Sequence, residues 1–259
     1  MIQECNCWLR GLIEGDGYTD ERHIEIFNSS ESILTKTIND LKRLIPIARI
    51  KVDIYSEFPN KNMILKWSNS LKLPNENFKL RKNTSPWKSR TEKIRIRISS
   101  KELVNRISTK PRHPELYVKG LFDAEASVDI KGYVEFKQLA SDKGTLLVNN
   151  TFNILRNLGI DSTEVKTKND RNIKRDVYFY VKDLKKFQNK IGFVDIGKKN
   201  KLMNLILIKE ENSNPDAEQI KKLVNENNSM WDIMIELKSP YHKVRKVLKD
   251  DHLTVRQTR

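Results

Sequence analysis

Cysteine is almost missing from this chain: Cys5 and Cys7 are the only two in 259 residues. A C-x-C pair can supply two metal ligands, but two without partners do not complete a site. Reduced thiols packed against a core, in an intracellular and not secreted protein, are expected instead. Long apolar runs are missing as well. None approaches the roughly 18 residues of a membrane span, and no signal-peptide apolar segment opens the chain, so a membrane partner is not expected. Acid is scarce relative to base, with 34 Asp plus Glu against 49 Lys plus Arg and a net charge of +15. An excess of that size points to a polyanion as partner, nucleic acid first. The length suits one large domain or two modest ones.

What is present is a repeat. Setting Gly11 on Gly120 also sets Leu12 on Leu121, Glu14 on Asp123, Gly15 on Ala124 and Asp16 on Glu125. The first copy continues with "ERHIEIFNSS", a helical "ESILTKTINDLKRLI", "ARIKVDIYSEF", a less regular stretch 59–87, "EKIRIRISS" and "KELVNRIS". The second continues with "SVDIKGYVEFKQLA", a helical "TLLVNNTFNILRNLG", "STEVKTK", "DVYFYVKD" and "LKKFQNKIG". Each copy reads α-β-β-α-β-β-α. The expected fold class is α+β: tandem pseudo-twofold repeats with two antiparallel sheets, then a small all-α C-terminal region. The expected boundaries are 1–110, 111–208 and 209–259.

The strands alternate with period two, as half-buried antiparallel strands do. Ile94, Ile96 and Ile98 share one face and Lys93, Arg95 and Arg97 the other. Ile50, Val52 and Ile54 are expected inward, with Arg49, Lys51, Asp53 and Tyr55 outward. In the second copy Lys131, Lys137, Lys166, Lys168, Tyr178, Tyr180 and Lys182 join the outward set. Such faces offer cations for phosphates and mixed donors and acceptors for base edges, so all of these except Asp53 are candidate DNA contacts.

After a polar linker at 209–218, three short helical pieces follow. Ser239 reads as an N-cap with Pro240 at the first helical position. The helix after it would present Tyr241, His242, Lys243, Arg245, Lys246 and Lys249 on its polar side. This resembles a helix-turn-helix, which makes Tyr241, Lys243, Arg245 and Lys246 further candidate DNA contacts.

The two copies of the opening helix look badly made. Each carries a glycine in mid-helix, at about 1 kcal/mol relative to alanine, and an acid at the negative end of its dipole. Both faults make sense together. Small residues four apart, Gly11/Gly15 and Gly120/Ala124, let two backbones approach closely, with Leu12, Ile13, Leu121 and Phe122 filling the flanks. Asp16 and Glu125 then meet at the bottom of the pair. Like charges about 4 Å apart repel by roughly 4 kcal/mol at an effective dielectric near 20, and a divalent cation relieves that. Mg²⁺ fits best, being content with one or two carboxylates, waters and phosphate oxygens.

"LRGLIEGDG" and "VKGLFDAEA" resemble the two copies of the LAGLIDADG motif. Over residues 9–207 the order of elements is similar to that of single-chain LAGLIDADG homing endonucleases. The resemblance implies a site-specific, intron-homing type of double-strand DNA endonuclease. Two saddle-shaped four-stranded sheets would straddle a long asymmetric duplex site, and short 3′ overhangs would be left by a monomer. It implies in-line attack by a metal-activated water, with Mg²⁺ as cofactor, Mn²⁺ as a substitute, and Ca²⁺ binding without supporting cleavage. By position, Asp16 and Glu125 match the metal-binding acids and the carbonyls of Gly15 and Ala124 the secondary metal contacts. Asn28 and Gln138 match a water-orienting polar residue, and Lys110 and Lys198 a basic residue of the solvent network. The motif's last glycine is Gly17 in the first copy, where a left-handed exit from the helix is expected, but Ala126 in the second. Glu replaces Asp in the second copy, so unequal cleavage of the two strands is expected. The alternatives are a non-cleaving DNA-binding regulator of WhiA-like type and an intron RNA maturase. An intein is disfavoured by the lack of splicing-type residues.

Overall fold

The opening helix is longer than its motif: α1 spans Ile2–Asp16 and turns Trp8, Leu9, Leu12 and Ile13 into the core. It is followed by β1 (Gly17–Thr19), β2 (His23–Asn28), α2 (Glu31–Leu44) and β3 (Ile50–Ser56). Next come α3 (Lys61–Leu71), β4 (Phe78–Lys82), β5 (Lys93–Ser99), α4 (Lys101–Ile107) and α5 (Pro114–Glu125). The second half runs β6 (Ala126–Asp129), β7 (Tyr133–Leu139), α6 (Asp142–Asn157), β8 (Lys166–Asp170), β9 (Ile173–Val181) and α7 (Leu184–Lys190). It ends with α8 (Ile196–Glu211), α9 (Ala217–Asn225), α10 (Met230–Glu236) and α11 (Tyr241–Asp250). This is a computed structural model; it describes residues 2–83, 92–109, 111–170 and 173–255, without the side chains of 2–5, 170, 173 and 174. Among the described residues no helix is long and apolar enough to cross a membrane.

The fold class is α+β, with two sheets in two units. The first unit is Met1–Glu125 with Ile191–Ile196, the second Ala126–Lys190 with Gly197–Arg259. Both motif helices, α1 and α5, therefore belong to the first unit. Among the described residues its sheet has five strands, in the order β1-β2-β5-β3-β4. Alternation works as expected in β5, where Ile94, Ile96 and Ile98 are buried and Lys93, Arg95 and Arg97 are not. The inward isoleucines of β2, β3 and β5 share a core with Ile33, Leu34, Ile38 and Leu41 of α2. That helix is also well charged for its dipole, with Glu31 in the first turn and Lys42 and Arg43 in the last.

Two corrections arise here. The stretch 59–87, read as irregular, contains α3 and β4, and β4 pairs parallel to β3 from Val52↔Phe78 to Ser56↔Lys82. The first sheet is thus mixed and one strand wider than the antiparallel four expected. Arg49, read as part of β3, ends a short 3₁₀ turn at Ile47–Arg49 before the strand begins.

The second sheet is antiparallel in the order β6-β7-β9-β8. Val134 and Phe136 of β7 and Val177, Phe179 and Val181 of β9 are buried, and Phe152 of α6 meets Phe179 edge-on at 5.8 Å. Ser141 caps α6, its Oγ accepting from Gly144 N–H at 3.1 Å. The expected linker at 209–218 shrinks to 212–216, since α8 runs on through Glu211. Ile220, Ile233, Met234, Val244 and Leu248 are buried in α9, α10 and α11. Ser239 is not the N-cap of α11. Pro240 holds that position, while Ser239 is buried and its hydroxyl donates to the Ser213 carbonyl at 3.0 Å. The cap not expected from the sequence is Ser229, which makes a full capping box with Asp232 at the start of α10.

Candidate active site and nucleic-acid interface

The poor helices fit each other. A Cβ built on Gly11 would lie 2.0 Å from the carbonyl oxygen of Tyr117, and one on Gly120 would lie 2.1 Å from that of Trp8. Trp8 and Tyr117 are themselves equivalent in the two copies, so the approach is reciprocal about a local twofold. The polar groups follow the same exchange. Trp8 Nε1–H donates to Asp123 at 2.9 Å, and the Tyr117 hydroxyl donates to Glu14, the equivalent acid on the other helix. Asp123 is 1% exposed and also accepts from the backbone N–H groups of Val194 and Asp195 at 2.8 and 3.1 Å. Burial and the bond to Glu14 push the Tyr117 hydroxyl well above the usual tyrosine range. These cross-bonds were not foreseen, although their signal was present: an aromatic donor three residues before each glycine and an acid three after.

The same packing brings Glu125 beside the residue that precedes Asp16. Asp16 ends α1 and Glu125 ends α5, both part-exposed. A Cβ on Gly15 would lie 2.5 Å from Ala124 Cβ, 3.1 Å from Glu125 Cγ and 3.8 Å from Glu125 Oε1. The Glu125 side chain therefore lies along the residue that precedes Asp16. Asn28, at the end of β2, donates from Nδ2 to Asp16 Oδ2 at 3.2 Å, while its Oδ1 accepts from Ser30 N–H at 2.8 Å. Gln138, on β7 in the second unit, is part-buried, and its amide nitrogen has no hydrogen-bond partner among the described residues. Lys198 is part-buried in the first turn of α8. Lys110 lies outside the described residues. The donor set fits a hard divalent cation: two carboxylates and neighbouring carbonyls, with an amide orienting one carboxylate. Among the described residues no cluster of three or more His, Cys, Asp or Glu forms. Cys7 is a buried free thiol.

Gly17 departs from expectation. It opens β1 without a left-handed φ; its Cβ would instead crowd Glu25 O, Ile13 Cα and Ile13 O at 2.8 to 2.9 Å. The glycine is there for space.

Each sheet presents a cationic and aromatic face. On the first, Lys51 and Lys93 are exposed and Tyr55 half-buried. Asp53, expected outward in solvent, is instead buried beneath Arg81, Arg95 and Arg97. Burial alone pushes its carboxyl up, but the bond from Arg95 and the charges of Arg97, Arg95 and Arg81 hold it below the usual carboxylate range. On the second, Lys137, Lys166 and Lys168 are exposed, and Tyr178, Tyr180 and the unforeseen Tyr133 cluster with ring centroids 5.2 and 4.1 Å apart. Lys131 is exposed in the β6–β7 turn and Lys182 just after β9. On α11, His242, Arg245, Lys246 and Lys249 are exposed, and Arg245 lies over the Tyr241 ring at 5.9 Å. Lys243 is committed elsewhere, donating to the Asn212 carbonyl at 2.6 Å just past the end of α8.

Residues 114–192, from α5 through α7, match a family model described as a LAGLIDADG-like domain. No curated protein matches the sequence. Among solved structures, mesophilic variants of the homing endonuclease I-DmoI are similar at 17% identity and a TM-score of 0.47, over 73% of this chain and 96% of that one. The N-terminal LAGLIDADG domain of DUF199/WhiA is similar at 16% identity and 0.44, over 86% and 88%. The I-SmaMI LAGLIDADG homing endonuclease bound to cleaved DNA is similar at 11% and 0.42, over 93% and 95%. Similarity at this level leaves activity to the chemistry of the chain's own residues. Residues 114–192 thus match a LAGLIDADG-like domain, and the helix that opens them, α5, packs reciprocally on α1, the equivalent helix earlier in the same chain.

Proposed function

We propose that the chain is a site-specific double-strand DNA endonuclease that depends on a divalent metal, Mg²⁺ by chemistry. The observation that carries this reading is the placement of Asp16 and Glu125. Two acids stand at the unfavourable ends of two helices that sacrifice propensity to touch, and the Glu125 side chain lies against Gly15, the residue before Asp16. A protein that only bound DNA would need the helix pair but not the two acids. Asp16, Glu125 and the carbonyls of Gly15 and Ala124 would hold the metal, which when bound supplies charge stabilisation and an acidified water. Asn28 fixes the orientation of the Asp16 carboxylate. The basic sheet faces and the net charge of +15 supply the grip on phosphates. One chain suffices, because it contributes both motif helices.

The test is selection of cleaved duplexes from a randomised library with and without Mg²⁺, repeated with Asp16→Asn and Glu125→Gln. Both variants should lose all or most double-strand cutting and keep binding. Unchanged cleavage rates in both would remove the site assignment. The helices α9 to α11, with their exposed cationic last helix, favour a second reading, a non-cleaving regulator. That reading predicts enrichment of bound duplexes with none cut under any metal.

A further inference from the structure

The open face of the first sheet carries a cluster that the metal site does not use. Asp53 sits in mid-β3, its side chain 0% exposed, beneath three guanidiniums from the two flanking strands. Arg95, directly opposite on β5, donates from Nε and Nη2 to Oδ2 at 3.0 and 2.6 Å. Arg97, on the same strand and face, donates from Nη2 to Oδ1 at 3.3 Å and holds Nε 2.8 Å from Oδ2. Arg81, from β4, donates from Nε to Oδ1 at 3.3 Å. Arg95 also lies over the rings of Phe27 and Tyr55, at 5.7 and 5.4 Å, with Glu25 3.5 Å from its Nη1.

Stability alone is a poor reason for this cluster, since well-packed apolar residues commonly replace a buried ion group at no loss. Charge balance is no better a reason. One guanidinium would neutralise Asp53, whereas three leave two positive charges in excess, or one after Glu25. The arginine side chains keep 20 to 38% exposure. Each guanidinium has five N–H groups and gives the carboxylate only part of its fork. A side chain anchored in this way has lost its rotamer freedom before a ligand arrives. Pairing with O6 and N7 of guanine depends on that orientation as much as on charge.

We propose that Asp53 is a positioning residue for base recognition, holding Arg81, Arg95 and Arg97 so that their outward N–H edges read guanines in duplex DNA. The proposal rests on the chain being a DNA-binding protein and is independent of cleavage. It differs from two simpler accounts. If Asp53 only tempered charge, removing it would tighten binding to all sequences alike. If it were only structural, removing it would weaken binding to all sequences alike. Positioning predicts poorer discrimination confined to a few base pairs.

The test uses the full chain, its selected duplex and the set of single-base-pair substitutions of that duplex, with Ca²⁺ in place of Mg²⁺ so that binding is read without cutting. Asp53→Asn should lose about tenfold in discrimination at particular G·C pairs. Its affinity for unrelated DNA should be equal or higher and its salt slope unchanged. Arg97→Lys keeps the charge and removes the fork, so it should lose discrimination at the same pairs. It carries the test should Asp53→Asn fail to fold. Wild-type discrimination at every pair in a folded Asp53→Asn or Arg97→Lys overturns the proposal, as does a loss spread evenly over the site. A wild-type chain that enriches no duplex sequence would remove the DNA reading itself, and this inference with it.

Discussion

At Gly11 and Gly120 a single methyl group decides whether the molecule can close. Each Cβ would meet a carbonyl oxygen of the partner helix near 2 Å, and backbone cannot swing aside as a side chain can. Gly11→Ala and Gly120→Ala are each expected to destabilise by about 3 kcal/mol or more, measured as the urea midpoint of the full chain. Reciprocity makes the two losses similar. Asn28→Ala should leave the fold intact and slow cleavage by roughly 10- to 100-fold, the usual cost of losing a group that orients a metal ligand. Asp53 sets a pH dependence. Its folded value lies below the unfolded one near pH 4, so its ion cluster contributes in full above that pH. The contribution is lost as pH falls through the lowered folded value. The Tm advantage of wild type over Asp53→Asn should therefore shrink on acidification from about pH 6 to about pH 3. Of these residues the glycines and motif acids were legible, because each broke a local rule twice at equivalent positions. Asp53 was not, because alternation assigns a face but cannot show that three arginines converge on one carboxylate. Ser239 was misplaced by one position, a shift that turned a cap into a buried hydroxyl.

At the scale of elements, period two was a faithful guide wherever one face met the core and the other did not, as in β5, β7 and β9. It failed for β4, a five-residue edge strand that leaves only Phe78 fully buried and whose partner β3 lies more than 20 residues back. The helical period failed in turn for α8. Leu202, Leu205, Ile206 and Ile208 are buried there while Ile196, Met203 and Leu207 stay exposed, so the apolar residues encircle the helix and draw no stripe. The helix α11 was legible because Val244 and Leu248 fall one turn apart against a cationic remainder. If that remainder grips phosphate, Arg245→Ala with Lys246→Ala should lower the slope of log affinity against log salt. The fall should be roughly 0.9 for each phosphate no longer neutralised, measured by titration at several salt concentrations. An unchanged slope would leave α9 to α11 as a helical cap.

For the whole molecule, the charge excess carries its own prediction. With several phosphates neutralised, DNA affinity should fall by roughly 10³ or more between about 50 and 200 mM salt, while the fold, built mainly on apolar packing, should respond far less. Asymmetry at the proposed metal site is a second consequence. Asp16 has Asn28 on its carboxylate and Glu125 carries an extra methylene, so Asp16→Asn and Glu125→Gln are expected to leave different residual nicks, read on a duplex labelled separately on each strand. The placement of α5 has a practical corollary. Although it opens the second repeat in sequence, it is folded into the first unit. Severing the chain near residue 110 would thus strand two halves, each with one bare glycine-lined helix and neither with a complete pair of acids. On the proposed function, such halves should be inert apart and regain cutting when mixed, each reporting its reassembly with the other.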